Sequence, residues 1–299
     1  MLSTTTPRPE REQRFVEILQ RLVDKSVDEY YNPYREFDWP ETLPSEMMWM
    51  SDDLTSTYGT EIVNELTEAQ RQQLSRWESI NFYSLNVEGI RELLVEVVRR
   101  IHTRGFEIPS DFFHHFVGEE NEHMWFFAEF CLRYGGKIYS GPKLNSIAHE
   151  DPRVENLLVF CRVLLFEEIV DHYNMRMAGD TSLHETIRQV NRVHHEDESR
   201  HIAFGRELVS LLHADLVGDL TPGQREEIEQ YLKRYIAFSL RAFYNPQIYR
   251  DAGIPDPLGF RERLLAEPSR RDAERRAVRK PLAFMCKTGI FADDVLPGI

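Results

Sequence analysis

Residues 193–204, which read VHHEDESRHIAF, contain three histidines and three acidic residues in a segment that otherwise looks helical. At about 100° per residue, His194, Glu198 and His201 lie within about 60° of one another on one side of a helix. The isoleucine and phenylalanine that follow indicate that part of this helix is buried. Because burying ionisable groups is costly unless they are paired or bind a metal, this stripe predicts a charge network or a metal site.

The zinc-protease motif HExxH does not fit this segment. It would require a histidine three residues after Glu196, where the sequence has Ser199. The segment contains instead an E-x-x-H motif, formed by Glu198 and His201. Zinc-dependent proteolysis is therefore not the chemistry that this spacing predicts.

A second E-x-x-H motif, Glu120 and His123, lies 78 residues upstream in another strongly helical segment. Residues three apart share one face of a helix, so each motif can supply a carboxylate and an imidazole to a common centre. Di-iron carboxylate proteins are built in this way, with two further helices that each supply one glutamate. For one of these helices the sequence offers Glu167 and Glu168, and for the other it offers Glu88, with Glu78 and Glu92 as competitors.

The types of the candidate ligands favour iron or manganese. Four carboxylates would neutralise two divalent ions, and oxygen and imidazole ligands suit these metals. The three cysteines, Cys131, Cys161 and Cys286, are far apart and show no CxxC spacing. The sequence therefore predicts neither a disulfide framework nor a structural zinc site.

Helical signals dominate the regions that would position these motifs, and strand signals are nearly absent. Thr67 is a candidate N-cap, and Asp151-Pro152 and Pro222 are typical helix starts. The aromatic and proline-rich stretch 30–50 predicts an irregular wrap over a core. We predict an all-α fold with a core bundle of four long helices and additional N- and C-terminal helices. The predicted helices span residues 10–30, 67–103, 111–134, 152–177 and 182–213, and a further helix begins at Pro222.

The set of motifs resembles the 4-aminobenzoate N-oxygenase family of ferritin-like di-iron enzymes, which oxidise aryl amines in antibiotic biosynthesis. The family has a seventh ligand, a histidine four residues before the last E-x-x-H glutamate, and His194 matches it. The family's third-helix glutamate lies 27 positions before that histidine, which selects Glu167 over Glu168. The resemblance implies the metal ligands Glu88, Glu120, His123, Glu167, His194, Glu198 and His201, with outer partners Asp197, Glu119 and Arg200.

The resemblance covers roughly residues 65–250, and we expect one domain over 1–299. Residues 1–60 would form an N-terminal extension and residues 251–299 a C-terminal extension. The resemblance also implies two iron ions (or manganese on misloading), O2 as co-substrate and a small-molecule amine, free or carrier-bound, that is oxidised to hydroxylamine, nitroso or nitro products. Because the sequence has no nucleotide-binding fingerprint such as GxGxxG, electrons would come from an external donor. A homodimer is expected from the family.

Three alternatives stay open at this stage. The same ligands could serve a di-iron enzyme that hydroxylates or desaturates carbon, because fold and ligands do not determine the substrate. A ferritin-like protein for iron storage or detoxification would also use such a bundle, although its subunits are far shorter. A structural bundle without a metal is the third alternative.

Composition limits the other classes of function. The net charge of −14 argues against nucleic acid or an anionic membrane as the main partner. The sequence has no run of about 18 apolar residues, and its first residues lack the apolar region of a signal peptide. With 41% hydrophobic residues the chain can form a sizeable core, so we predict a soluble cytoplasmic protein.

Overall fold

Helices form the regular structure of the residues that the computed structural model describes, which are 8–141 and 149–298. No strand occurs within these ranges, which confirms the predicted all-α class. The helices are α1 (Arg8–Asp28), α2 (Pro33–Glu36), α3 (Glu68–Val98), α4 (Ser110–Phe130), α5 (Pro152–Gly179), α6 (Glu185–Leu216), α7 (Pro222–Ala242), α8 (Pro246–Asp251), α9 (Pro257–Ala266) and α10 (Pro268–Thr288).

Four long helices form the ferritin-like bundle. Helix α5 packs along α6, α3 packs along α4, and contacts between α4 and α6 and between α3 and α5 close the bundle. The remaining helices cover its outside: α1 lies against α4 and α6, α7 and α10 lie against α5, and α8 lies against α3. The two E-x-x-H helices, α4 and α6, therefore face each other inside the bundle.

Local sequence signals explain where several of these helices begin. The Thr67 side chain accepts a hydrogen bond from the backbone N–H of Gln70, and the side-chain oxygen of Gln70 accepts one from the backbone N–H of Thr67. Helix α5 begins at Asp151-Pro152, where the aspartate caps the first turn and the proline occupies the first helical position. Thr221 opens α7 with a second capping box. These predicted starts are confirmed.

Two predicted boundaries were wrong by several residues. Helix α3 ends at Val98, not at 103, because the chain turns and His102 adopts a left-handed backbone conformation with φ of 55°. Helix α6 starts at Glu185, not at 182. The Asp180 carboxylate accepts hydrogen bonds from the backbone N–H and the hydroxyl of Ser182, which holds a turn before the helix.

The aromatic stretch 30–50 contains only the short helix α2 and otherwise crosses the bundle as irregular chain, as predicted. Its hydrophobic side chains are part of the core: Phe37, Leu43, Trp49 and Met50 are buried. The segment is thus held in place by burial of its side chains, not by backbone pairing. In the described ranges, none of the helices combines the length and the apolar character that a membrane span requires.

Candidate metal centre

Two carboxylates and two imidazoles from α4 and α6 converge in the middle of the bundle. Each of Glu120, His123, Glu198 and His201 offers one potential ligand atom, and these atoms all lie within 4.8 Å of one another. The two E-x-x-H motifs therefore meet face to face, as their spacing predicts. All four side chains are at most 2% exposed, so the group is shielded from bulk water.

The histidines of the two motifs are held alike, each with one nitrogen facing outward and one facing the group. His123 Nε2 lies 2.9 Å from Asp197 Oδ2, and His201 Nε2 lies 2.7 Å from Glu119 Oε2. The inward Nδ1 of His201 lies 2.7 Å from Glu120 Oε1, and that of His123 lies 3.5 Å from the same oxygen. Carboxylates behind histidines fix the tautomer and leave the other nitrogen free to bind a metal.

His194 adds a third imidazole to the group, one helical turn before Glu198. Its Nε2 lies 3.0 Å from Glu198 Oε1, and its Nδ1 lies 2.5 Å from Nδ2 of Asn174 on α5. The Oδ1 of Asn174 is buried and makes no hydrogen bond. With this amide turned over, Asn174 would accept the Nδ1–H of His194 and leave Nε2 free as a ligand.

Glu167 supplies a third carboxylate from α5. It is 2% exposed, and its Oε1 is buried without a hydrogen bond. Burial, together with the carboxylates of Glu120 and Glu198, raises the pKa of Glu167 well above its usual range. In contrast, Glu168 is directed away from this group and makes two hydrogen bonds with Arg206, at 2.9 and 2.8 Å.

Arg200 links the two outer carboxylates. Its Nη2 lies 3.0 Å from Glu119 and 2.5 Å from Asp197, and its Nη1 lies 2.9 Å from Glu29 at the end of α1. Apart from the half-exposed Glu29, the inner and outer groups together contain five carboxylates and one guanidinium, which leaves four negative charges when the imidazoles are neutral. Two divalent ions would neutralise this charge. The five carboxylates belong to Glu119, Glu120, Glu167, Asp197 and Glu198.

Several polar atoms of the inner group lack the hydrogen-bond partners that buried atoms normally have. Buried side-chain atoms without hydrogen bonds are rare in folded proteins and require an explanation. Seven of them lie around the inner group, and these seven are carboxylate oxygens and imidazole nitrogens, the donor set of iron and manganese sites. These atoms are both carboxylate oxygens of Glu120 and of Glu198, Oε1 of Glu167, and Nδ1 of His123 and of His201.

Protonation in the metal-free protein follows from this crowding. Burial alone would lower the pKa of His123, but the carboxylates of Glu120 and Asp197 raise it to about 10. Burial and the neighbouring His123 lower the pKa of His194 well below its usual value. The group thus retains protons between its carboxylates when no metal is bound, and metal ions would displace them.

The structure does not bring Glu88 to this group. Its carboxylate accepts a hydrogen bond from Arg91 at 2.8 Å and lines an apolar cleft between α3, α5 and α7, together with Arg162 and Phe166. Glu88 lies about 140° around α3 from Tyr83, whose hydroxyl meets Asn191 inside the bundle at 2.6 Å. The other six predicted ligands and the three predicted outer partners are all brought together.

Sequence reasoning missed three residues of the outer group: Asn174, Glu29 and Tyr31. Asn174 lies seven residues after Glu167, which places both on one face of α5, so helical spacing could have identified it. Tyr31 and Glu29 come from the N-terminal extension, far from the motifs in sequence. No local pattern indicates that they reach Asp197 and Arg200.

Comparison with known proteins adds two findings. The family described as P-aminobenzoate N-oxygenase AurF matches residues 12–289, which is nearly the whole chain. Uncharacterized proteins of Mycobacterium bovis and Mycobacterium tuberculosis are 27% identical over 210 residues. That match covers 64% of this chain and 60% of the mycobacterial proteins, so the chain spans less than two thirds of their length.

Proposed function

Because the chain belongs to the P-aminobenzoate N-oxygenase AurF family, we propose that it binds two iron ions at the buried group and uses O2 to oxidise the nitrogen of an amine. The main support for this proposal is that carboxylate oxygens and imidazole nitrogens without hydrogen-bond partners lie together at one point. Bound iron would supply O2 activation at this point. We expect the amine to be converted to a hydroxylamine and, with further oxidation, to nitroso or nitro products.

The proposed ligands are the six residues that the structure brings together, contributed by three of the four bundle helices. Asp197, Glu119 and Asn174 would hold the outer nitrogens of the three imidazoles, so that each ring keeps its ligand nitrogen directed inward. Burial of the group keeps bulk water away from the reacting atoms. The ligands are Glu120, His123 and Glu198 with His201, Glu167 and His194.

The resemblance makes Glu88 a seventh candidate, although its side chain lies on another face of α3. The six inner residues, together with Asp197, Glu119 and Arg200, already carry the four negative charges that two divalent ions would neutralise, without Glu88. The electrons for O2 reduction would come from an external donor. A homodimer, also expected from the family, can be checked by light scattering of the purified protein.

The direct test combines metal content with product analysis. The protein is loaded anaerobically with ferrous iron, desalted and assayed for iron. It is then mixed with O2 and a reductant in the presence of a panel of aryl and alkyl amines, and the products are identified by mass spectrometry. We expect two irons per chain and a product that carries oxygen on nitrogen. Incorporation of ¹⁸O from labelled O2 identifies the source of that oxygen.

The alternatives give different results in the same experiment. Oxygen on carbon, or a new double bond, would indicate a di-iron enzyme with a different substrate preference. Iron uptake far above two per chain would indicate storage. A protein that retains neither iron nor manganese would contradict the proposed function altogether.

A further inference from the structure

A continuous hydrogen-bonded path joins the surface of the protein to the buried group. The Tyr31 hydroxyl donates to Asp197 Oδ2 at 3.1 Å, and the same oxygen lies 2.9 Å from Nε2 of His123. The other nitrogen of His123 faces Glu120 and Glu198. A single carboxylate oxygen therefore connects a tyrosine to an imidazole of the inner group.

The outer end of this path is accessible. Tyr31 is half-buried and lines a cleft between the end of α1 and the outer face of α6, together with Lys25, Glu36 and His195. Asp197 also borders this cleft, although it is only 3% exposed. The inner group is thus separated from the cleft by one carboxylate and one imidazole.

The N-terminal extension is held firmly at this position. Glu29, two residues before Tyr31, accepts a hydrogen bond from Arg200, and the same guanidinium binds Asp197. Asp197 is therefore fixed from two directions, by Tyr31 and by Arg200. This arrangement goes beyond what is needed to orient His123, for which one carboxylate suffices.

We propose that Tyr31, Asp197 and His123 form the path by which single electrons pass from a donor in this cleft to the metal centre. The inference rests on the proposed function, which requires an external reductant. In each transfer a one-electron donor is oxidised and one ferric ion is reduced to ferrous, with no bond formed or broken in the path. Electrons pass more readily between hydrogen-bonded groups than across a gap of the same length. Loss of the Tyr31 hydroxyl should therefore slow the reduction of the metal centre.

The experiment measures reduction separately from catalysis. Protein loaded with iron and oxidised to the ferric state is mixed without O2 with reduced methyl viologen, and the decay of the ferric absorbance is followed by stopped flow. We expect the variant Tyr31→Phe, which keeps the ring but loses the hydrogen bond to Asp197, to be reduced more slowly than the wild type. The iron content should stay unchanged.

Tyr34→Phe is the matched control. Tyr34 lies three residues further along the same segment, is exposed and packs against Trp125, with the two rings tilted and 4.5 Å between their centroids. The ferric centre of Tyr34→Phe should be reduced at the wild-type rate. To separate a path from an altered potential, the rates are compared at equal driving force, using several viologens and the measured midpoint potential of each variant.

Two outcomes would overturn the proposal. Equal reduction rates for Tyr31→Phe, Tyr34→Phe and wild type would show that electrons take another path. A rate difference that vanishes at equal driving force would show that Tyr31 only tunes the potential. Product formation by the wild-type protein with hydrogen peroxide, which needs no external electrons, tests the proposed function independently of Tyr31.

Discussion

Two clusters of buried ionisable groups in this protein are balanced in different ways. The metal-centre group has five carboxylates and one guanidinium, that of Arg200. The second cluster lies between α3 and α10, where Glu78 and Arg270 are each 5% exposed. There a single buried carboxylate lies close to a single buried guanidinium.

Backbone and hydroxyl groups complete the second cluster. Glu78 accepts a hydrogen bond from the backbone N–H of Ser56 at 2.9 Å. Arg270 donates to the hydroxyl of Tyr244 at 3.1 Å and to the carbonyl of Thr55 at 3.0 Å. The second cluster therefore differs from the first in its charge, because one guanidinium faces one carboxylate, although Oε2 of Glu78 is also buried without a hydrogen bond.

The difference shows how a binding site can be distinguished from a buried polar cluster that only stabilises the fold. Buried charges in both places are costly, but with neutral imidazoles, as metal binding requires, only the metal-centre group has an excess of carboxylates over protein cations. A cluster that is incomplete in charge and in hydrogen bonds is one that a ligand completes. Variants of each cluster should therefore affect different properties.

The largest effect is expected for removal of an inner carboxylate. Glu198→Ala should lose most of its iron and lower the rate of amine oxidation by more than about 100-fold, because even outer partners of ligands contribute roughly 10–100-fold. Iron analysis and the product assay check both statements.

Glu129→Gln serves as the control for this variant. Glu129 lies on α4 near the inner group in sequence, but it is partly exposed and pairs with Arg133. Its iron content should equal that of the wild type. Full iron retention by Glu198→Ala would contradict the proposed ligand role.

Arg270→Met should act in the opposite way, on stability alone. The guanidinium donates hydrogen bonds to Tyr244 and Thr55, and a buried acceptor left without its donor costs roughly 1–3 kcal/mol. We expect a loss of this size in the free energy of unfolding, measured with denaturant, with unchanged iron per folded chain. Arg271→Met, at the exposed neighbouring position, should cost less than about 0.5 kcal/mol. An iron loss in Arg270→Met would show that the two clusters are coupled.

The second cluster also predicts a dependence of stability on pH. Burial raises the pKa of Glu78 to about 7 from 4.5, so the folded state keeps this proton where the unfolded state has lost it. Stability is then complete below pH 4.5 and falls as the pH rises to 7. Glu78→Gln removes this loss and should gain roughly 3 kcal/mol over the wild type between these pH values. If the free energy of unfolding depends on pH in the same way in both proteins, the raised pKa of Glu78 is contradicted.

Helical spacing predicted the inner group well, because two E-x-x-H motifs each define a face without any knowledge of the tertiary structure. The choice of Glu167 over Glu168 came from the family pattern, and the structure places the former inward and the latter on Arg206. The sequence analysis missed Tyr31 and Asn174 for different reasons. The first reaches the site only through the path of the N-terminal extension, and the second resembles any other polar residue of a helix.

Helix α3 shows why a sequence sometimes does not reveal which face of a helix points into the bundle. Residues 78–84 of this helix are all buried, because α4, α5 and α8 cover it on several sides. A helix that is buried nearly all round has no apolar stripe from which its inner face can be read. Glu88 was therefore assigned from its type and from the family pattern, without an independent indication of its direction.

The smallest effect is expected for Glu88→Gln, which tests this last assignment. In the structure Glu88 is balanced by Arg91, like the members of the second cluster, and loss of such a partly exposed pair costs at most about 1 kcal/mol. Iron content and amine oxidation should therefore equal those of the wild type and of Arg91→Gln, which breaks the same pair. If Glu88→Gln alone loses iron, α3 must rotate on metal binding to bring the seventh carboxylate inward. The metal-centre group would then gain a fourth inner carboxylate only in the loaded protein.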